Sequence, residues 1–315
     1  MLVPSLPALP ALVPVEQAVV LLAPALAVCA LVSWWHGGRL LLAVVWCAVA
    51  VWMLTRPLPG AAEYGLLAHG WGILLAGVFG LVCLLRPGRA FFSQALPTVG
   101  ISLVLGIAAL ATRTGGSGPQ LVRLMTAEYA QRTNEWLLWL QHLAATPEWA
   151  DYARRYPDVV ALRDQVVAQY ASMPERSVAL LPAMLGLESL AVLALAWALY
   201  QRLGRARIGP SLAALRTFRF SDQLIWGLIV GITFLVVPGF GELRGIGVNL
   251  LVFFGALYVV RGLGVLAWLF APRRWAKVLL VAVGVLAWQL LAPFALAIGV
   301  GDTWLDWRNR ARPTS

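Results

Sequence analysis

Residues 62–85 read AEYGLLAHGWGILLAGVFGLVCLL. Only Glu63 and His69 interrupt an otherwise apolar run. At about 1.5 Å per helical residue such a run is long enough to cross a hydrocarbon core of about 30 Å. Runs of this kind recur along the chain. They fall at about Ala18–Trp35, Leu40–Thr55, Ala62–Leu85, Ala90–Ala111, Val178–Tyr200, Leu224–Val237, Val248–Phe270 and Ala276–Ile298. The 315 residues are 61% hydrophobic and 12% charged, and the mean hydropathy is +0.80. A soluble domain of this size has no use for so much apolar surface, so lipid is the expected solvent. The expected fold class is all-α, a polytopic transmembrane helix bundle of about eight runs. Run two is short for a full crossing, so runs one and two read either as a shallow hairpin or as two spans.

Composition changes sharply between runs four and five. Residues 113–176 are rich in acidic residues and arginine, after a flexible Thr114-Gly115-Gly116-Ser117-Gly118 joint. Leu121, Met125, Tyr129, Trp136, Leu140 and Leu143 recur at roughly helical spacing. Pro147 and Pro157 each suit the first turn of a further helix. The segment reads as a small helical cap, or as an interfacial helix that presses Trp136 and Trp139 into the headgroups. The expected organisation is an N-terminal membrane half at 1–111, a helical extramembrane segment at 112–177, a C-terminal membrane half at 178–300 and a polar tail at 301–315. Prolines at positions 4, 7, 10 and 14 argue against a long helix at the N-terminus.

The net charge of +10 is carried mostly by arginines between the apolar runs, where basic residues orient a membrane protein. Nucleic acid is therefore not an expected partner. The connectors after runs one, three, five and seven carry Arg39, Arg86, Arg89, Arg202, Arg205, Arg207, Arg216, Arg219, Arg273 and Arg274. That richer set is expected on the cytoplasmic side, with both termini and the helical segment facing outward. Cys29, Cys47 and Cys83 all lie in apolar runs and match no metal spacing, so they read as small buried hydrophobes.

An ionisable residue at membrane depth costs about 2.5–3.5 kcal/mol on insertion scales, so each one asks for a reason. Glu188 lies inside run five and Arg261 inside run seven. Their expected depths differ by about 5 Å, and they are expected to pair, either as a structural ion pair or as a ligand-binding site. His69, Gln289, Asn249 and Glu63 are candidates for a polar path. Asp222 and Gln94 read as helix-end markers. Small residues four apart, Ala23 with Ala27, Ala76 with Gly80 and Gly227 with Gly231, favour close helix approach.

Catalytic signatures are weak. Gly299-Val300-Gly301-Asp302 matches the string of intramembrane aspartyl proteases, whose chemistry needs a second facing aspartate, and no other aspartate lies within a run. Gly100 and Ser102 begin a serine-hydrolase string that Val104 breaks. No phosphate-binding glycine loop and no metal set is present in the sequence, so neither a cofactor nor a metal is expected.

From run five onward the chain resembles the YybS-like family of bacterial polytopic membrane proteins of unknown function. The resemblance rests on Leu181-Pro182-Ala183, Arg202-Leu203-Gly204, Phe218-Arg219-Phe220 before Trp226, and Asn249-Leu250-Leu251. It continues through Leu257-Tyr258, Arg261-Gly262, Gly301-Asp302-Thr303-Trp304 and Asp306-Trp307-Arg308. The first four runs agree in layout. That family looks distantly like the substrate-binding subunits of energy-coupling-factor vitamin transporters. The resemblance implies a bacterial cytoplasmic membrane location. By analogy it also implies a small-molecule-binding role, beside other membrane subunits or a separate ATPase. The competing expectations are a non-catalytic scaffold that recruits partners and, below both, an intramembrane enzyme.

Overall fold

The computed structural model describes residues 15–58, 62–113, 118–171, 173–204, 206–270 and 288–310. The proline-bearing start, most of the glycine joint, Arg205, the connector with Arg273 and Arg274, and the first half of run eight lie outside the described residues. Every regular element among the described residues is helical. Among the described residues, four helices are long and apolar enough to cross a membrane: Ala62–Leu85, Phe91–Thr112, Leu181–Leu203 and Gly241–Phe270. The other four runs contain shorter apolar helices, at Val19–Trp35, Leu40–Leu54, Asp222–Val236 and Gln289–Leu305.

The chain divides into two compact units. The first holds residues 1–89, 94–181 and 188–210. Its helices are α1 (Val15–Trp35), α2 (Leu40–Leu54), α3 (Ala62–Leu85), most of α4 (Phe91–Arg113), α5 (Gly118–Ala144), α6 (Pro147–Arg155), α7 (Pro157–Ala171), α8 (Met173–Ala179) and most of α9 (Leu181–Leu203). Run five therefore packs largely with the runs before the helical segment, across the expected four-plus-four division.

α1 packs against α2 and α3. The expected small-residue contacts are present. Ala23 and Ala27 of α1 meet Ala50 of α2, with Trp46, Cys47, Val49 and Met53 around them. A methyl at Gly72 would lie 3.3 Å from Leu21 Cδ2, and one at Gly80 only 2.7 Å from Val28 Cγ1, so α3 runs parallel to α1 at short range. The α1–α2 turn requires Gly37, which sits at φ +88°, in the left-handed region that a side chain disfavours. Cys29 and Cys83 are buried and Cys47 is half-buried, and all three are free thiols. The outward face of α3 is Leu66, Ile73, Leu81 and Leu84, while Gly65, Gly72, Ala76 and Gly80 are buried. Small residues inside and large apolar ones outside is the pattern of a helix solvated by lipid.

α9 is anchored by Leu193, Ala196, Trp197 and Tyr200, all fully buried. Trp197 packs edge-on against Phe79 of α3, and its indole N–H donates to the Pro210 carbonyl at 3.1 Å. Gln94 behaves as the expected end marker: its Nε2 donates to the Arg86 and Arg89 carbonyls just past α3. In the helical segment, Trp136 of α5 stacks on Tyr170 of α7 with ring centroids 4.0 Å apart. Thr146 caps α6 by accepting from the Trp149 amide.

The second unit holds residues 90–93, 182–187 and 211–315. Its helices are α10 (Ile225–Val236), α11 (Arg244–Phe270), α12 (Trp288–Leu305) and the short α13 (Trp307–Arg310). α11 is the centre, packed against both α10 and α12. Gly227 and Gly231 admit Phe254 and Leu251 of α11, so α10 and α11 run antiparallel. The α11–α12 contact is tighter. A methyl on Gly262 would overlap the Ala295 carbonyl, and one on Gly299 would overlap the Tyr258 carbonyl. Two glycines thus bring the two backbones into direct contact. The helix of run eight extends beyond the apolar stretch that ends at about Ile298. α12 continues to Leu305, and α13 follows, so residues 301–310 of the expected polar tail are mostly helical.

Candidate functional site

The backbone contact at Gly262 and Gly299 determines where charge gathers. Arg261 precedes the first glycine on α11, and Asp302 lies one turn beyond the second on α12. Arg261 Nε–H donates to Asp302 Oδ2 at 2.9 Å, and its Nη2 donates to the Asp302 carbonyl at 3.3 Å. The Nη1 of Arg261 donates to Asp222 Oδ1 at 2.7 Å. Arg308 Nη2 donates to the same Asp302 Oδ2 at 2.7 Å. Its Nη1 donates to the Phe218 carbonyl at 3.0 Å and to the Arg216 carbonyl at 3.3 Å, which ties the connector before α10 to α13. Alongside, Arg219 pairs with Asp306 at 2.8 Å. Asp306 breaks α12 from α13 with a positive φ of 42°.

An aromatic floor lies beneath. The Arg261 guanidinium sits 5.3 Å from the Phe220 ring centroid, a cation–π contact. Phe220 meets Tyr258 edge-on at 5.0 Å and stacks with Phe92 at 5.6 Å. Burial of the cluster is uneven. The side chains of Asp302, Arg261 and Arg308 are 0%, 3% and 5% exposed, whereas that of Asp222 is 61% exposed. Two buried cations share one buried anion, and the balance is supplied by a carboxylate at the surface. Four buried polar atoms here lack a well-formed hydrogen bond: Asp302 Oδ1, Arg308 Nε, Thr303 Oγ1 and Tyr258 Oη, the last lying against Thr303.

Within its own unit Arg261 is engaged by residues other than the Glu188 expected from the sequence. Its three guanidinium nitrogens go to Asp302 and Asp222, read from sequence as a tail residue and a helix-end marker. The cause is the continuation of α12, which carries Asp302 back to Arg261 as part of a packed helix. Falling hydropathy after Ile298 hides this. The signal that could have found it is the match of Arg261-Gly262 with Gly299-Val300-Gly301-Asp302: a glycine beside each charge, on helices that must meet. The Asp302 carboxylate accepts from two guanidiniums, those of Arg261 and Arg308, which hold it as an ion-pair partner.

The other candidates fall as follows. Glu188 stands half-buried on α9, well inside a span-length helix, and makes no hydrogen bond or ion pair among the described residues of the first unit. Its neighbour Ser189 is buried and accepts from the Trp71 indole N–H at 3.0 Å, which joins α9 to α3. His69 is half-buried on α3 with Nε2 unpartnered, and Glu63 is exposed in the first turn of that helix. Asn249, in the second unit, is engaged in structure. Its Oδ1 accepts from the Ala183 amide at 2.9 Å, and its Nδ2 donates to the Gly245 carbonyl at 2.9 Å. Gln289 is exposed in the first turn of α12. Among the described residues, no three His, Cys, Asp or Glu side chains gather as a metal site.

No curated protein and no solved structure matches the chain. One family model does, over residues 8–303, with the description "Predicted membrane protein" (DUF2232). The match takes in all of the apolar runs and the Arg261–Asp302 contact, and the chain belongs to that family of membrane proteins of unknown function.

Proposed function

We propose that this protein is a multi-pass subunit of the bacterial cytoplasmic membrane that binds, and helps to move, a small solute. The observation that carries this reading is Glu188, an acid within a helix long enough to span that has no ion-pair partner among the described residues of its unit. An ionisable group at such depth is costly unless something uses it. His69, with Nε2 unpartnered among the described residues, and Glu63 are the other polar candidates of the same unit. The likeness of the C-terminal half to YybS-like proteins, and through them to energy-coupling-factor binding subunits, supports a division of labour with an ATPase on another chain. Native mass spectrometry of the purified chain is expected to show a bound small molecule that Glu188→Gln lacks while keeping the same thermal midpoint. A molecule retained by Glu188→Gln, or none in either protein, sinks this reading.

A scaffold role is the second reading, favoured by the exposed Val122, Leu138, Trp139 and Leu162 of the helical segment. A photo-crosslinker at Leu138 is expected to capture a protein partner in membranes if that reading holds, and only lipid if it does not.

A further inference from the structure

The charge cluster of the second unit is balanced in an unusual way. Arg261 and Arg308 are buried and share Asp302, so the buried groups alone carry one excess positive charge. A buried charge must be paired or it destabilises the fold. Its counter-ion is Asp222, whose side chain is 61% exposed and whose carboxylate makes a single hydrogen bond among the described residues, to Arg261 Nη1.

Asp222 is also attached so that it can leave alone. The connector before it is held without it, through Arg308 Nη1 on the Arg216 and Phe218 carbonyls and through the packing of Phe218 and Phe220 on Phe92. The short turn Asp222–Leu224 is capped by the Ser221 hydroxyl, not by the Asp222 side chain. A change of rotamer at Asp222 would free Nη1 and leave α10, α11 and α12 in place. The remaining nitrogens of Arg261 would stay fixed by Asp302, with Phe220 beneath. What is then presented is a rigid guanidinium edge of unbalanced positive charge. That chemistry selects an oxyanion, because the guanidinium fork matches carboxylate and phosphate geometry. Arg216, exposed on the same connector and without an ion pair among the described residues, adds to the positive field there.

We propose that Arg261 anchors an oxyanion-binding site of the phosphate class, and that the Asp222 carboxylate occupies it as a built-in substitute. The phosphate comes from a lipid headgroup or from a free anion, and the two share this chemistry. The inference concerns the second unit and stands apart from the solute reading built on Glu188.

The test uses the full chain in a maltoside detergent, which is free of phosphate, and compares wild type with Asp222→Asn. Thermal midpoints are followed by tryptophan fluorescence at matched ionic strength, in chloride and in inorganic phosphate. Asp222→Asn is expected to melt lower than wild type in chloride and to recover in phosphate. Its half-saturating phosphate concentration should lie at least tenfold below that of wild type, whose own carboxylate competes. A second arm replaces phosphate with added phosphatidylglycerol. Recovery with inorganic phosphate identifies a free-anion site, and recovery with phosphatidylglycerol alone identifies a lipid site; either supports the proposal. Equal stabilisation of both proteins by phosphate, or recovery of Asp222→Asn by neither ligand, overturns it. If Asp222→Asn is unfolded in chloride, phosphate or phosphatidylglycerol present from solubilisation must restore a monodisperse protein, and failure to do so overturns the proposal equally.

Discussion

The two units treat buried charge in opposite ways. In the second, Arg261, Arg308 and Asp302 are drawn together by a glycine-mediated helix contact, and each guanidinium meets a carboxylate. In the first, Glu188 stands within a span-length helix and no counter-ion meets it among the described residues of that unit. Desolvation disfavours an ionised carboxylate in either place. The difference therefore separates charge that holds a fold together from charge that the fold merely tolerates. Removing a partner from the first kind should be costly, and neutralising the second kind should not.

The largest effect should come from Asp302→Asn. It would leave two buried guanidiniums facing a neutral amide. Breaking a buried ion pair by removing one partner costs about 3–5 kcal/mol. The expected result is a large fall in thermal midpoint and early proteolysis in the connector that Arg308 holds. A midpoint within a degree of wild type would show that the cluster is not structural, and the contrast between the units would dissolve.

Next is Gly262→Ala. The added methyl has no space against the Ala295 carbonyl, so α11 and α12 must separate. Overpacking of this kind typically costs about 1–3 kcal/mol. Because the same contact aligns Arg261 with Asp302, the loss should be non-additive with Asp302→Asn in a double-mutant cycle. Additive losses would mean that the glycine contact and the ion pair are independent, and the account of how charge is gathered would be wrong.

In the first unit the comparable structural link is neutral. Ser189→Ala removes the acceptor of the Trp71 indole N–H and leaves that donor near the α3–α9 contact. The expected loss is about 1 kcal/mol, readable as a small drop in midpoint. A loss as large as that of Asp302→Asn would show that the first unit also depends on a single polar contact.

The same contrast explains what the sequence made legible. Runs three, four, five and seven announce themselves by length and hydropathy, and their helices begin and end close to the expected residues: Ala62–Leu85 is recovered as read. The small-residue pairs were legible for the same reason, since glycine and alanine at four-residue spacing leave one flat face, and Gly80 and Gly231 both press on a neighbouring helix. The charge cluster was not legible. Hydropathy measures how well a side chain likes lipid, and Asp302 and Arg308 lower that score wherever they stand. It contains no information on whether a helix continues past Ile298 under its own hydrogen bonds, as α12 does to Leu305. Asp222 was missed because a residue at a helix start has an ordinary reason to be acidic. Its contact with Arg261 is a tertiary fact. Arg261 itself was found because its cost at depth is local, while its partners depend on how α11 and α12 meet.

The smallest expected effect on stability is the most informative. Glu188→Gln removes a charge that no described residue of its unit balances and keeps nearly the same shape. If Glu188 belongs to the fold, the variant should lose stability as Asp302→Asn does. If Glu188 is retained for a ligand, the midpoint of the empty protein should stay level or rise, because an unpaired acid in a span is itself a cost. Functional sites commonly keep such costs in place of stability. The expected outcome is an unchanged or higher midpoint in detergent, together with loss of whatever stabilisation a bound solute gives the wild type. The same acid-to-amide change would then weaken one unit and leave the other intact. A fall of several degrees in the empty protein would instead assign Glu188 a structural partner and make the two units alike.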